Sequence, residues 1–258
     1  MWKIDLRATL ILTLACVLGS LSIMPAVVAA RARVDAAALP WWELYGSAVL
    51  NSVILFGLAA FFGLRAARAA GLKGAPLVTQ WAGGEKAPPL LGAFILSAGL
   101  GIVAGAAVFL SDLYIFHSGT SAATHAASDT AATLSFFENL LGGFLYGGIN
   151  EEVLMRLFVL SVLVYLGGFV AGRTPRGRGI LIAIAIVLAA VGFGLAHLPI
   201  TATMTEITPF IVLRAVVLNG IVGAVAGVLY VRYGLEAAAV SHAAAHIPMQ
   251  TGVLVLAL

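Results

Sequence analysis

Charge is what this sequence has least of. Only 10% of its 258 residues are Asp, Glu, Lys or Arg, while 62% are hydrophobic. A soluble domain is about a quarter charged. Too little polar surface is left to cover a water-soluble globule, and the mean hydropathy of +1.08 makes a polytopic membrane protein the default. Cysteine is nearly absent as well. Cys16 stands alone, which excludes an intramolecular disulfide and any CxxC metal or redox motif. There is no HExxH, no long-period repeat, and no ten-residue alternation of a membrane barrel. Helices are then the only plausible spanning structures. The net charge of +3 and pI of about 9.2 report on loops beside a membrane and do not point to nucleic acid.

What is present is a series of apolar runs. Seven are long enough to cross a bilayer, which takes about 20 helical residues. They lie near residues 8–30, 43–64, 89–117, 134–172, 179–197, 207–231 and 235–257. The expected fold is an all-α transmembrane bundle of seven spans, one integral membrane domain over 1–258. The run 134–172 is too long for one simple span. Gly142, Gly143, Gly147 and Gly148 are placed to break it, which would add an eighth helix. The first run follows Lys3 and Arg7 as a signal peptide would. It is long and further spans follow it, so an uncleaved first transmembrane helix is the preferred reading.

Loop charges suggest an orientation. Lys3, Arg7, Arg65, Arg68, Lys73, Lys86, Arg173, Arg176, Arg178 and Arg232 fall on one side of the alternation. The other side has Arg31 and Arg33, then no Lys or Arg in 118–133 and 198–206. The N-terminus is therefore expected in the cytoplasm. Abundant Ala and Gly with little Lys suit a GC-rich bacterial gene, and so the inner membrane. Loop 117–133 reads as flexible and extracytoplasmic, with His117 and His125 incidental. Pro40-Trp41-Trp42 reads as an interfacial anchor.

Against this apolar background one stretch stands out, Asn150-Glu151-Glu152-Val153-Leu154-Met155-Arg156. Each charge among lipid-embedded helices costs about 2.5–3.5 kcal/mol and needs a partner or a purpose. Glu152 and Arg156 are four apart and share a helix face, so they can pair. Glu151 lies about 100° round the helix from Glu152 and has a poorer match to Arg156. That leaves Glu151 free to act as a general base. The competing reading is an ion network that only locks helix packing. His242 and His246 also share a face, separated by three alanines that allow close helix approach. They can bind a metal, hydrogen-bond a reacting oxygen, or simply bond between helices. His197 closes the fifth run and reads alone as an interfacial residue. The set counts for more: a Glu pair with Arg, one His, then two His, on three separate spans.

These residues resemble the motifs of the CAAX protease and bacteriocin-processing (CPBP, or Abi) family of intramembrane endopeptidases, which includes type II CAAX prenyl proteases. Glu151-Glu152-x-x-x-Arg156 matches the family's EExxxR, and Phe193-x-x-x-His197 its FxxxH. The third motif usually ends in Asn or Asp, and here His242-x-x-x-His246 departs from it. The likeness covers about 134–250, the expected protease-like core. It implies that Glu151 activates water with His197 orienting it. His242 and His246 would stabilise the oxyanion, with Glu152 and Arg156 supporting the site.

The family has been described both as metalloproteases and as metal-independent glutamate proteases. Here His197, His242, His246 and Glu151 form a plausible zinc set. Without HExxH, however, Glu151 would have to be ligand or base, not both. The preferred reading is a glutamate protease with no cofactor, zinc being the alternative. Its substrate would be a membrane-anchored or membrane-proximal peptide. Two other classes stay open. One is a non-catalytic immunity or scaffold protein, favoured by the His246 departure. The other is a transporter using Arg214 or Asn219 in a proton path.

Overall fold

The computed structural model describes residues 2–33, 39–116, 136–171 and 174–257. The readings made for loop 117–133, His117, His125 and Arg173 lie outside these residues. The described residues form helices and no strands. In chain order they are α1 (Trp2–Ser22), α2 (Met24–Arg33), α3 (Trp41–Ala69), α4 (Pro76–Ala82), α5 (Leu91–Phe116), α6 (Phe136–Ala171), α7 (Pro175–Thr201), α8 (Pro209–Tyr233) and α9 (Leu235–Ala257). The protein is a helical membrane bundle.

Six helices, α1, α3, α5, α6, α7 and α8, are long and apolar enough to cross a membrane. The seventh expected span, α9, is a helix of 23 residues, about 35 Å at 1.5 Å per residue. Glu236, Ser241, His242, His246 and Gln250 dilute its apolar character. Length and apolarity together therefore support six of the seven expected spans. The first span also begins earlier than hydropathy suggested. α1 starts at Trp2, and Ala8, Leu12 and Cys16 are buried in the core. A break follows at Ile23, and Met24–Arg33 forms a separate helix.

Local chemistry sets several helix ends. Thr174 and Thr208 cap α7 and α8, each side-chain oxygen accepting a backbone N–H, with Pro175 and Pro209 following. Gly234 turns α8 into α9 at φ +106°, a region that favours glycine. A Cβ there would also run into Pro76.

The basic segments gather at one end of the bundle. Arg68 pairs with Asp5, the Arg7 guanidinium donates to Ala82 O, and that of Arg178 donates to Ala70 O. Leu235 N bonds Gly74 O at 2.8 Å, which brings the α8–α9 turn to the same place.

Two packing features hold the centre. Ser97, Gly101 and Gly105 form a small-residue stripe on α5 against α9. Cβ atoms on Gly101 and Gly105 would strike the carbonyl oxygens of Ser241 and Ala245. Such a stripe lets two backbones approach closely. The second feature is α6 itself. Its four glycines do not break it, and it runs unbroken for 36 residues. It widens into π-helical turns over Gly143–Glu151 and Val153–Leu160. The eighth helix expected from those glycines is therefore not formed. Widened turns of this kind are frequent at functional sites.

Candidate active site

Three helices converge on Glu151. α6 brings Glu151, Glu152 and Arg156, α7 brings Phe193 and His197, and α9 brings His242 and His246. Glu152 and Arg156 are fully buried. Arg156 Nη1 lies 2.7 Å from Glu152 Oε1, the pair expected from their spacing. The guanidinium terminal nitrogens make no aligned hydrogen bond. Instead, the group rests over the Phe193 ring at 5.0 Å from its centroid, where the ring's negative face favours a cation.

The histidines are held from behind. His242 Nδ1 is 2.7 Å from Glu152 Oε1. A carboxylate only accepts, so Nδ1 donates and Nε2 is turned away from Glu152. His197 sits where the α7 helix is interrupted, and its Nδ1 lies 2.8 Å from Phe193 O. A carbonyl also only accepts, so this ring is fixed the same way. Both Nε2 atoms then face Glu151, from His197 to Oε1 at 3.8 Å and from His242 to Oε2 at 3.6 Å. These separations are too long for direct hydrogen bonds. They are short enough for one water to reach both groups at ordinary hydrogen-bond length.

Burial is graded across the site. The side chains of Glu151 and His197 are 20% and 31% exposed, while that of His242 is 6% exposed. The carboxylate without an arginine partner is thus the one that solvent and substrate can reach.

His246 is placed differently. Its ring stacks on His242 with centroids 5.3 Å apart and planes 7° from parallel. Its Nδ1 is buried with no hydrogen-bond partner. A Cβ on Gly143 would collide with this ring. One on Gly147 would lie 2.7 Å from His246 Nε2 and 3.3 Å from His242 Nε2. The glycines read as helix breakers therefore provide the seat for the two imidazoles.

Residues 133–247 match the family model described as type II CAAX prenyl endopeptidase Rce1-like. This stretch is similar to that family. No curated protein and no solved structure matches the chain. The Rce1-like stretch carries all seven motif residues, from Glu151 to His246. α1 to α5 lie outside it.

The zinc alternative can be tested against the side chains. Among the described residues, no three His, Cys, Asp or Glu side chains are grouped as a metal ion requires. His246 lies flat against His242. No chemical step is assigned to zinc.

Some supporting residues escaped sequence reasoning. Asn150 is fully buried, and its Nδ2 donates to Cys16 O at 2.8 Å and Ser20 Oγ at 2.9 Å. Ser52 Oγ continues this chain to Ser20 at 2.5 Å. Together they tie the residue beside Glu151 to α1 and α3. The signal was available in Asn150 itself, a polar residue inside an apolar run. Arg214 was read as a relay candidate, but it clamps Asp112 with two bonds of 2.7 Å. Asn219 bonds back to Ala215 O on its own helix. Neither contact reaches the Glu151 site.

Proposed function

We propose that the protein is an intramembrane endopeptidase that hydrolyses a peptide bond with water activated by Glu151. The observation that carries this reading is the approach of two anchored imidazole Nε2 atoms to Glu151, the partly exposed carboxylate of the Glu151–Glu152 pair, which has no arginine partner. The Rce1-like match supplies the reaction class, CAAX-type proteolysis in a membrane.

The residues divide the work as follows. A water between Glu151 and His197 gives one proton to the carboxylate while His197 Nε2 accepts its other hydrogen bond. Its oxygen attacks the carbonyl carbon, and the carbonyl π bond opens to an oxyanion. His242, an imidazolium throughout the cycle, donates from Nε2 to that oxyanion and from Nδ1 to Glu152. The carbonyl re-forms, the C–N bond breaks, and Glu151 returns its proton to the leaving amine. No metal enters this scheme. Arg156 and Phe193 hold Glu152 and the imidazoles in place without touching substrate. His246 supports His242 by stacking. Its role as a second oxyanion donor rests on the family resemblance.

The substrate is a membrane-anchored or membrane-proximal peptide, since Glu151 is reached from among the helices. We read a bacterial inner membrane from composition and an N-terminus-in topology from loop charge. A leader peptide or a C-terminal sorting tail is as good a candidate as a prenylated CAAX tail. The test is cleavage of lipid-anchored peptides by the wild type and by Glu151→Gln, His197→Ala and His242→Ala, with and without chelator. Cleavage that survives Glu151→Gln rejects the general base. Cleavage lost to chelator and restored by zinc rejects the metal-free scheme. A folded wild type that cleaves nothing favours a non-catalytic bundle.

A further inference from the structure

The basic end of the bundle contains a cavity that the Glu151 chemistry does not use. It measures about 880 Å³ and lies between the start of α1, the end of α3 and the later half of α6. That is within the range of small-ligand sites, roughly 300–1,000 Å³. Its walls are apolar and aromatic, including Phe62, Phe158, Val162, Tyr165 and Leu166. Asp5, Arg65 and Arg68 also line it.

The charged group is built, not scattered. Asp5 is 1% exposed and takes both terminal nitrogens of Arg68, at 2.8 and 2.5 Å. That bidentate pairing fixes the Arg68 guanidinium and satisfies the carboxylate. Arg65 is left 3.9 Å from the same carboxylate, beyond hydrogen-bond reach. Its guanidinium lies over Trp2 and Phe61, at 5.7 and 5.6 Å from the ring centroids, and its side chain is half exposed. Two guanidiniums against one carboxylate leave one positive charge in surplus at the cavity.

We infer that this cavity binds an anionic phospholipid, its phosphate on Arg65 and Arg68 and an acyl chain along Phe158, Val162 and Leu166. A free phosphate would satisfy the arginines but leave the apolar wall uncovered. A neutral lipid would cover the wall but leave the surplus charge unmatched. Phe62 and Leu166 are about half exposed, so the cavity opens onto the hydrocarbon from which such a chain would enter. Basic pockets between helices bind acidic headgroups by the same chemistry.

Native mass spectrometry of the full-length protein in detergent tests this. The probes are phosphatidylglycerol, phosphatidylcholine with the same chains, and inorganic phosphate. Phosphatidylglycerol is expected to bind about tenfold more tightly than phosphatidylcholine. Arg65→Gln should weaken phosphatidylglycerol binding roughly fivefold to tenfold and leave phosphatidylcholine unchanged. Val162→Trp, which fills the cavity with the arginines intact, should weaken phosphatidylglycerol as well. It keeps the test open if Arg65→Gln fails to fold. Equal binding of the two lipids by the wild type would overturn the inference. So would unchanged phosphatidylglycerol binding in either folded variant. Inorganic phosphate bound as tightly as phosphatidylglycerol would assign a soluble anion and overturn it too.

Discussion

Glu152 Oε1 accepts the Nδ1–H of His242 at 2.7 Å. The same oxygen lies 2.7 Å from Arg156 Nη1. One buried carboxylate atom therefore holds a cation on its own helix and an imidazole on another. Glu152→Gln would leave Arg156 as a buried charge without a counterion and His242 facing a neutral amide in place of a carboxylate. Removing one partner of a buried pair typically costs about 3–5 kcal/mol. A marked drop in thermal unfolding temperature in detergent is expected. Replacing both, as Glu152→Gln with Arg156→Met, should recover part of the stability but none of the cleavage. A double variant no more stable than the single would show that the pair is not coupled.

Glu151→Gln should behave in the opposite way. Glu151 is partly exposed, has no arginine partner, and lies beyond direct hydrogen-bond distance of both imidazoles. Its loss is expected to change stability by no more than about 0.5 kcal/mol, as for sites outside buried networks. Cleavage should fall by roughly 10²–10⁴-fold, the usual contribution of a positioned acid–base group. Paired melting and cleavage measurements on Glu151→Gln and Glu152→Gln separate the two carboxylates. Equal destabilisation by both would contradict the division between them.

The Glu152–Arg156 contact was legible in the sequence because it is local. Spacing of four places Glu152 beside Arg156 and His242 beside His246, whatever the helices pack against. The meeting of α6, α7 and α9 was suggested by the motif set, not by spacing. Long-range contacts left weaker traces. The Asp112–Arg214 pair is separated by 102 residues, and no periodicity connects its members. Phe193 was read as a motif letter, whereas its ring meets Arg156, His197 and His242. The glycines of α6 were misread because glycine has two uses. It lowers helix propensity, and it also removes a Cβ where another group must sit. Here tertiary packing decided between them.

Gly147→Ala tests that second use. Its Cβ would press on His246 and His242, so reduced cleavage is expected despite alanine's better helix propensity. His246→Ala in the same chain would remove the closer of the two rings. Partial recovery of stability in the double variant, relative to the two single variants, is the expected outcome. Strict additivity would show that Gly147 and His246 do not press on each other.

Gly101 and Gly99 make a further test, because they lie two residues apart on α5 and differ in what they face. A Cβ on Gly101 would strike Ser241 O, a backbone atom that has no rotamer to change. α5 and α9 would have to separate just beside His242. Gly101→Ala is expected to cost about 1–3 kcal/mol, the usual range for overpacking, and to reduce cleavage through the displaced imidazole. A Cβ on Gly99 would meet nothing within 4 Å. Gly99→Ala should therefore leave cleavage intact and stabilise the helix by up to about 1 kcal/mol. Melting curves and cleavage rates of the two variants check the comparison directly. If both variants behave alike, the α5 stripe is not what seats the histidine helix.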